Sequence, residues 1–367
     1  MKKIYSILAI LSITLVVAQA GAPASPYYDG SNWTLTGTAL KNALATKITV
    51  THTNRLSYTP GIWEASRVTD LDSNNANNVL LIYGWENGSD NSVTNDRSRD
   101  KYANGGGNGQ WNREHTYAKS LGTPTLLDGG TANNSSSDAG EDAHHLRPAD
   151  VQWNGIRGNS TYAAGSGNSG NVAGGWYPGD EWKGDVARMM MYMYLRYGTQ
   201  CLPINVGTGT SPASDSNMVN LFLQWNAEDP VSAFEDARNT YHGNTTNTYA
   251  QGNRNPFIDN PYLATLIWGG AVAQNRWPSI ILATETFDKF ANISIYPNPT
   301  NNHKINIQTD IVLDEIDLIN IDGQLMQVIK KPNLENQTYT LDNLAQGFYL
   351  LKMTSENQST TKLIIVN

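Results

Sequence analysis

The sequence predicts an α+β chain, with a mainly helical, loop-rich first part and a small all-β, immunoglobulin-like sandwich at its end. Two observations lead to this prediction. Composition changes near residue 285, since every tryptophan, every arginine and nearly all of the glycines precede it. Beyond it, short alternating apolar segments are separated by turn sequences such as Asp322-Gly323, a pattern typical of an antiparallel sandwich. The predicted strands are residues 293–296, 305–307, 316–319, 348–352 and 363–366.

Residues 1–20 have the pattern of a secretory signal peptide. Two lysines follow Met1, an apolar run extends from Ile4 to Val17, and Ala18-Gln19-Ala20 supplies a small-x-small cleavage site. A short membrane anchor is the alternative, although the run is too short to cross a bilayer comfortably. We therefore expect an exported monomer without a membrane span.

Three helices are predicted between the signal peptide and residue 285. They cover residues 185–197, 217–225 and 231–241. The first carries methionine and tyrosine at helical spacing and stops at Gly198, so its apolar stripe is expected to lie in the core. Charged residues make up only 16% of the chain, and glycine, asparagine, serine and threonine fill the remaining segments as loops.

Charge and cysteine content exclude several classes of protein. The formal net charge is −8, which excludes a globally basic protein that coats DNA. The single cysteine, Cys201, excludes an intrachain disulfide framework and any Cys-x-x-Cys zinc site. An acidic chain can still cut nucleic acid if its positive charge is local or comes from a metal.

Two clusters of polar residues contain the chemistry that the sequence offers. Glu114-His115 ends the first, and residues 141–150 form the second, which continues into residues 151–159. Carboxylates, carboxamides and imidazoles without thiols suit Mg²⁺, and less often Zn²⁺. Arginines such as Arg147 and Arg157 match phosphate geometry, so the clusters fit phosphodiester hydrolysis. For Glu114-His115, a purely structural role stays open as the alternative to catalysis. For His144-His145, a zinc site and a hydrogen-bonded core pair both stay open.

The order of motifs resembles the endonuclease I family of secreted bacterial nucleases, members of the His-Me finger (ββα-metal) superfamily. Any one motif is weak, but six occur in the family's order across residues 60–265. They are Arg113-Glu114-His115-Thr116, residues 142–148, residues 153–159, residues 183–188, residues 225–231 and residues 251–257.

The resemblance implies a set of roles for individual residues. His115 matches the family's general base, and Glu114 and Asn154 match the two protein ligands of a single divalent cation. That cation is usually Mg²⁺, with Mn²⁺ or Ca²⁺ as the other candidates. Arg157 and Arg254 are taken as catalytic candidates that contact phosphate, although Arg254 can equally cap a helix. In the family a β-turn-β element presents the Glu-His pair and a following helix presents the asparagine.

The sequence leads to two expectations about the geometry of this motif. Pro148 can begin a helix at its first position, which would place Asn154 about two turns in. Glu114 and His115 are adjacent on a strand and would point to opposite faces. A turn or bulge must then redirect one of them, or the pair must lie on either side of the metal and water.

Departures from the family pattern leave one role unassigned. The family's phosphate-stabilising arginine follows the catalytic histidine, but residues 116–145 contain only Lys119 as a basic residue other than histidine. Arg147, Arg157 and Arg254 are the candidates for this role. An Asn- and Ser-rich insertion, residues 131–137, also lies in that stretch, and we expect His144 to support the fold.

The C-terminal part resembles the sorting domain of proteins exported by the type IX secretion system. The matching residues are Ile295 to Thr300, Leu344 to Tyr349 and Lys362 to Val366. An ordinary immunoglobulin-like binding module is the alternative. The predicted organisation is a signal peptide (1–20), an endonuclease I-like catalytic domain (21–285), a linker (286–292) and a sorting domain (293–367).

Together these expectations describe a secreted, metal-dependent, largely non-specific endonuclease. Its substrates are DNA and, second, RNA, its products carry 5′-phosphates, and its partner is the type IX secretion machinery. The alternative function is a secreted carbohydrate- or surface-binding module without catalysis, which the tryptophans, tyrosines and β-sandwich would also fit.

Overall fold

A computed structural model describes residues 21–87, 92–128, 139–281, 293–309, 311–355 and 358–367. The chain divides into two compact units, Met1–Ile281 and Leu282–Asn367, and each has its own hydrophobic core. The predicted signal peptide (1–20), linker (286–292) and insertion (131–137) lie outside the described residues.

Helix α4, Lys183–Tyr197, forms the centre of the first unit, because nearly all of its side chains are buried. Val186, Met190 and Met193 are fully enclosed, so the methionine stripe is core as the sequence predicts. The other helices are α1 (Gly37–Thr51), α2 (Trp63–Thr69), α3 (Val151–Arg157), α5 (Asn220–Glu228), α6 (Ala233–Gly243), α7 (Pro256–Asp259) and α8 (Tyr262–Trp268). Of these, α1, α5 and α7 pack against α4.

The first unit also holds small antiparallel sheets. Their strands are β1 (Leu71–Asp72), β2 (Asn75–Leu80), β3 (Ser98–Asp100), β4 (Trp111–His115), β5 (Leu146–Asp150), β6 (Gly170–Val172) and β7 (Gly175–Tyr177). One sheet joins β1, β2 and β3, a second joins β4 and β5, and a third joins β6 and β7.

The three predicted helices are present, with α5 and α6 displaced by two or three residues from the predicted bounds. Helix α6 begins later because Ser232 caps it. The Ser232 hydroxyl accepts a hydrogen bond from the Glu235 amide, and the Glu235 carboxylate accepts one from the Ser232 amide. This reciprocal capping fixes the start of the helix.

Pro148 does not begin a helix, contrary to the expectation from sequence. It lies in β5, where it pairs with Arg113 of β4. Asp150 begins the helix instead, because its carboxylate accepts hydrogen bonds from the amides of Gln152 and Trp153. Asn154 is therefore the fourth residue of α3, one turn in rather than two.

The second unit consists of two antiparallel sheets that enclose one apolar core. Their strands are β8 (Ser294–Tyr296), β9 (Ile305–Gln308), β10 (Glu315–Asn320), β11 (Leu325–Lys330), β12 (Thr338–Leu341), β13 (Gly347–Ser355) and β14 (Gln358–Val366). The larger sheet has strand order β11-β10-β13-β14 and the smaller β12-β9-β8. Ile305 and Ile307 of one sheet and Leu351 and Met353 of the other are buried in that core. The mixed first unit and the all-β second unit agree with the predicted fold class.

Candidate active site

Strand β4 and helix α3 line one pocket of the first unit, and strand β5 connects them. The strands are antiparallel, with Glu114 opposite Arg147, and α3 begins directly where β5 ends. The pocket, which we call the β4–α3 pocket, has a volume of about 370 Å³. The predicted site residues Glu114, His115 and Asn154 therefore line the same pocket, and so does Arg157. Its lining is Arg113, Glu114, His115, Ala118, Lys119, Ser120, Thr125, Asn154, Arg157, Gly158 and Asn159.

Glu114 and His115 both reach this pocket although they are neighbours in sequence. The pairing of β4 with β5 runs in regular register from Trp111 to His115, so no bulge redirects either side chain. His115 is the last residue of β4, where the strand leaves the sheet. Both side chains therefore line the pocket without a bulge, Glu114 from within the strand and His115 from its end.

The Glu114 carboxylate is buried and is held at one of its two oxygens. The Tyr83 hydroxyl donates to Oε1 at 2.9 Å, and Arg157 Nη1 lies 3.1 Å from the same oxygen. Oε2 is not used by either contact. Burial raises the pKa of Glu114, while the Arg157 guanidinium and the Tyr83 hydrogen bond oppose that rise. The carboxylate is thus fixed in place with one oxygen left for a further ligand.

The His115 imidazole is oriented by a backbone carbonyl and an aromatic ring. Its Nε2 lies 2.9 Å from the carbonyl oxygen of Gly140, and Tyr58 stacks on it with ring centroids 5.6 Å apart. Because a carbonyl can only accept, Nε2 carries the proton and Nδ1 is the basic nitrogen. Burial, followed by the nearby His145, lowers the pKa of His115 well below 6.5. The ring is therefore neutral at pH 7 and able to accept a proton.

The Asn154 carboxamide is held by Asn112 on the neighbouring strand. Asn154 Nδ2 donates to Asn112 Oδ1 at 2.7 Å, which leaves the Asn154 oxygen as the group available to a ligand. A carboxylate oxygen and a carboxamide oxygen in one pocket suit a hard cation such as Mg²⁺. Among the described residues no cluster of three or more His, Cys, Asp or Glu could hold a metal. A two-ligand site is compatible with Mg²⁺, because that ion usually keeps several waters.

The three candidate arginines have different surroundings. Arg157 lies in the pocket wall, where its Nη1 and Nη2 donate to the carbonyls of His115 and Thr116 at 3.1 and 3.0 Å. Arg147 is buried between Asp70 and Asp185, outside the pocket lining. Arg254 is also outside that lining, and its guanidinium pairs with Asp259. Of these three arginines, Arg157 is the one that contacts Glu114 and the backbone of His115.

His144 and His145 are core residues of the first unit. His144 Nε2 lies 3.1 Å from the Asn253 carbonyl oxygen, and His145 Nε2 lies 2.7 Å from that of Ala139. Burial lowers the pKa of each to about 4, so both are neutral at pH 7. Between a zinc site and a hydrogen-bonded core pair, their burial and their contacts with backbone carbonyls favour the core pair.

Sequence reasoning did not select some residues that shape the pocket. Arg113 lies 3.5 Å from the ring centroid of Tyr58 and 4.1 Å from that of Trp63, a cation held between two aromatic faces beside His115. Lys119, the one basic residue noted after His115, lines the pocket and pairs with Asp128 at 2.5 Å. Neither position has a sequence signal beyond its proximity to the Glu-His pair.

Comparison with known proteins identifies both parts of the chain. Residues 36–262 match the endonuclease I family, and residues 294–367 match a secretion system C-terminal sorting domain. The family match covers more than half of the chain, and this chain belongs to the endonuclease I family.

Two bacterial relatives share much of the chain. An extracellular ribonuclease of Bacillus subtilis (strain 168) is 42% identical over 263 residues, which cover 67% of this chain and 82% of the relative. An extracellular ribonuclease of Bacillus amyloliquefaciens is 41% identical over 262 residues, 69% of this chain and 81% of the relative. A solved structure of PorZ, a surface component of the type-IX secretion system of Porphyromonas gingivalis, overlaps 23% of this chain at a TM-score of 0.18, too low to carry an argument.

The chain is therefore a secreted nuclease with a C-terminal sorting domain. The nuclease family accounts for the first unit, and the sorting domain together with the extracellular relatives accounts for export. No helix in the described ranges is long and apolar enough to cross a membrane. Membership of a nuclease family favours the enzyme over the alternative of a binding module without catalysis.

Proposed function

We propose that this protein is a metal-dependent endonuclease that hydrolyses phosphodiester bonds in the β4–α3 pocket. One observation carries the proposal. A neutral imidazole, a buried carboxylate, a carboxamide and a buried guanidinium line the same pocket on a β-β-α element, the arrangement expected of a His-Me finger. These residues are His115, Glu114, Asn154 and Arg157.

Glu114 and Asn154 are the residues that would hold the divalent cation. Their free oxygens fit Mg²⁺, and Mn²⁺ and Ca²⁺ take the same kind of ligand. When bound, the cation supplies electrostatic stabilisation of the charge that develops on the phosphate and on the leaving 3′-oxygen. Arg157 keeps Glu114 in place through the 3.1 Å contact to Oε1, so its first role is to orient this ligand.

His115 supplies the base for the attacking water. Its Nε2 is held on the Gly140 carbonyl, so Nδ1 takes the proton as water attacks phosphorus in line. Lys119 and Arg113 place positive charge along the same pocket, where it neutralises the phosphate of the substrate. Lys119 pairs with Asp128 at 2.5 Å, so it takes the role of the family's missing arginine only when the substrate phosphate displaces that carboxylate. Arg254, paired with Asp259 outside this lining, supports the fold.

We propose that both DNA and RNA are substrates, cut without sequence preference to 5′-phosphate products. The extracellular ribonuclease relatives support RNA, and the family resemblance supports DNA. The net charge of −8 opposes tight, salt-resistant binding along DNA and fits a monomer that binds briefly. The second unit is proposed to direct export through the type IX machinery, in agreement with its match to a sorting domain.

Replacing Asn154 with alanine is expected to weaken cleavage of plasmid DNA and of RNA by at least the ~10–100-fold typical of losses around metal ligands. The loss should be largest at low Mg²⁺ and partly reversed at high Mg²⁺, because the substitution removes a cation ligand. Asn77→Ala is the matched control, since Asn77 is an exposed residue of β2 outside the pocket lining. Equal Mg²⁺ dependence in the two variants would contradict the proposed site.

A further inference from the structure

Tyr83 occupies an unusual backbone conformation directly behind the β4–α3 pocket. Its φ is 73°, in the left-handed region that bulky residues rarely adopt, and its side chain is fully buried. The chain turns tightly here, since the Gly84 amide donates to the Leu81 carbonyl at 3.1 Å. The Gly84 backbone also packs closely on another segment, where a Cβ would lie 2.2 Å from the carbonyl oxygen of Asp96. Such strained residues persist only where their surroundings hold them, and they cluster at functional sites.

This conformation delivers the Tyr83 hydroxyl to Glu114. The hydroxyl lies 2.9 Å from Glu114 Oε1 and 2.7 Å from the Tyr162 hydroxyl. The Tyr162 hydroxyl is in turn 2.9 Å from the Thr116 carbonyl oxygen. Two tyrosines from separate loops therefore form a continuous polar chain that ends on the carboxylate.

Both ends of this chain are hydrogen-bond acceptors. The Tyr83 hydroxyl donates to Glu114 Oε1, and the Tyr162 hydroxyl donates to the Thr116 carbonyl. The same carbonyl also accepts from Arg157 Nη2 at 3.0 Å, because its oxygen has two lone pairs. The Tyr162 hydroxyl, held in this way on the backbone that follows β4, lies 2.7 Å from the Tyr83 hydroxyl and supports it beside Glu114.

We infer that Tyr83, supported by Tyr162, positions Glu114 for binding of the divalent cation. Arg157 and Tyr83 hold Oε1 from two sides, and Oε2 remains available to the cation. The strained backbone at Tyr83 is then the means by which the fold brings a hydroxyl to this carboxylate. The inference rests on the proposed function, because it takes Glu114 as a cation ligand.

Calorimetric titration of Mn²⁺ into the full chain tests this inference without relying on activity. Tyr83→Phe removes the hydroxyl and keeps the ring, and is expected to weaken Mn²⁺ binding by about 10–100-fold. Tyr194→Phe is the matched control, since Tyr194 is equally a buried tyrosine but its hydroxyl donates to Asp215. Its affinity should equal that of the wild type.

The outcomes separate this inference from the proposed function. Wild-type affinity in a folded Tyr83→Phe variant would overturn the positioning role while leaving the metal site intact. Absence of Mn²⁺ binding in the wild type would contradict the metal site and the inference with it. If thermal unfolding shows that Tyr83→Phe is not folded, Tyr162→Phe is the variant to measure. We expect it to bind Mn²⁺ more weakly than the wild type does, and unchanged Mn²⁺ affinity would contradict the inference.

Discussion

Replacing His115 with alanine is expected to slow phosphodiester cleavage by about 100- to 10,000-fold, the range for loss of a general base. The Gly140 carbonyl fixes the ring through Nε2, and burial keeps the imidazole neutral at pH 7. No other imidazole lines the pocket among the described residues, so none can replace it. Initial rates on RNA and on plasmid DNA at saturating Mg²⁺ measure the effect.

The control for this variant is His303→Ala. His303 is an exposed histidine of the second unit, and its replacement should leave cleavage unchanged. Thermal unfolding of both variants shows whether the first unit is intact. A folded His115→Ala protein that cleaves within a few-fold of the wild-type rate would remove His115 from the role of base.

Replacing Arg147 with methionine is expected to lower the free energy of unfolding of the first unit by about 3–5 kcal/mol, the cost of breaking a buried ion pair. Arg147 donates to Asp70 at 2.7 Å and to Asp185 at 3.1 Å, and all three side chains are at most 4% exposed. Methionine fills similar volume but leaves two buried carboxylates with fewer partners. Arg147 therefore holds β5 against the helical core.

Urea unfolding followed by tryptophan fluorescence measures this loss in the first unit alone, because every tryptophan precedes residue 282. The control is Arg97→Met, which breaks the exposed pair with Glu181, whose side chains are 29% and 42% exposed. Such surface pairs contribute at most about 1 kcal/mol. Equal stability of the two variants would contradict a structural role for Arg147.

The Glu-His-Asn element was predicted from the order of motifs and their resemblance to the endonuclease I family. Glu114 and His115 lie on one strand, and a second strand followed by a short helix returns Asn154 to them. With Arg157, the predicted residues are four of the eleven that line the pocket. The helix start was placed wrongly at Pro148, because the sequence does not show that this proline pairs in a strand and that Asp150 provides the cap.

The arginines could not be sorted from sequence, because the acids that face Arg147 and Arg157 come from distant segments. Asp70 and Asp185 enclose Arg147, and Asp259 pairs with Arg254, whereas Arg157 faces Glu114. Nothing in the residues next to each arginine shows which acid will face it.

Tyr83 was not predictable for a related reason. Its hydroxyl reaches Glu114 only through a left-handed backbone angle of 73° and a close approach of Gly84 to Asp96. A tyrosine before a glycine is an ordinary dipeptide in sequence. Its importance depends on a tertiary contact with β4.

The most direct test of the account is cleavage of plasmid DNA and of RNA by the full chain with Mg²⁺, with EDTA, and with Mg²⁺ restored in excess. Metal-dependent hydrolysis by water in the β4–α3 pocket predicts cutting with Mg²⁺, none with EDTA, recovery on restoration, and 5′-phosphate ends on both substrates. Cleavage that persists in EDTA, or RNA products with 5′-hydroxyl ends, would contradict it.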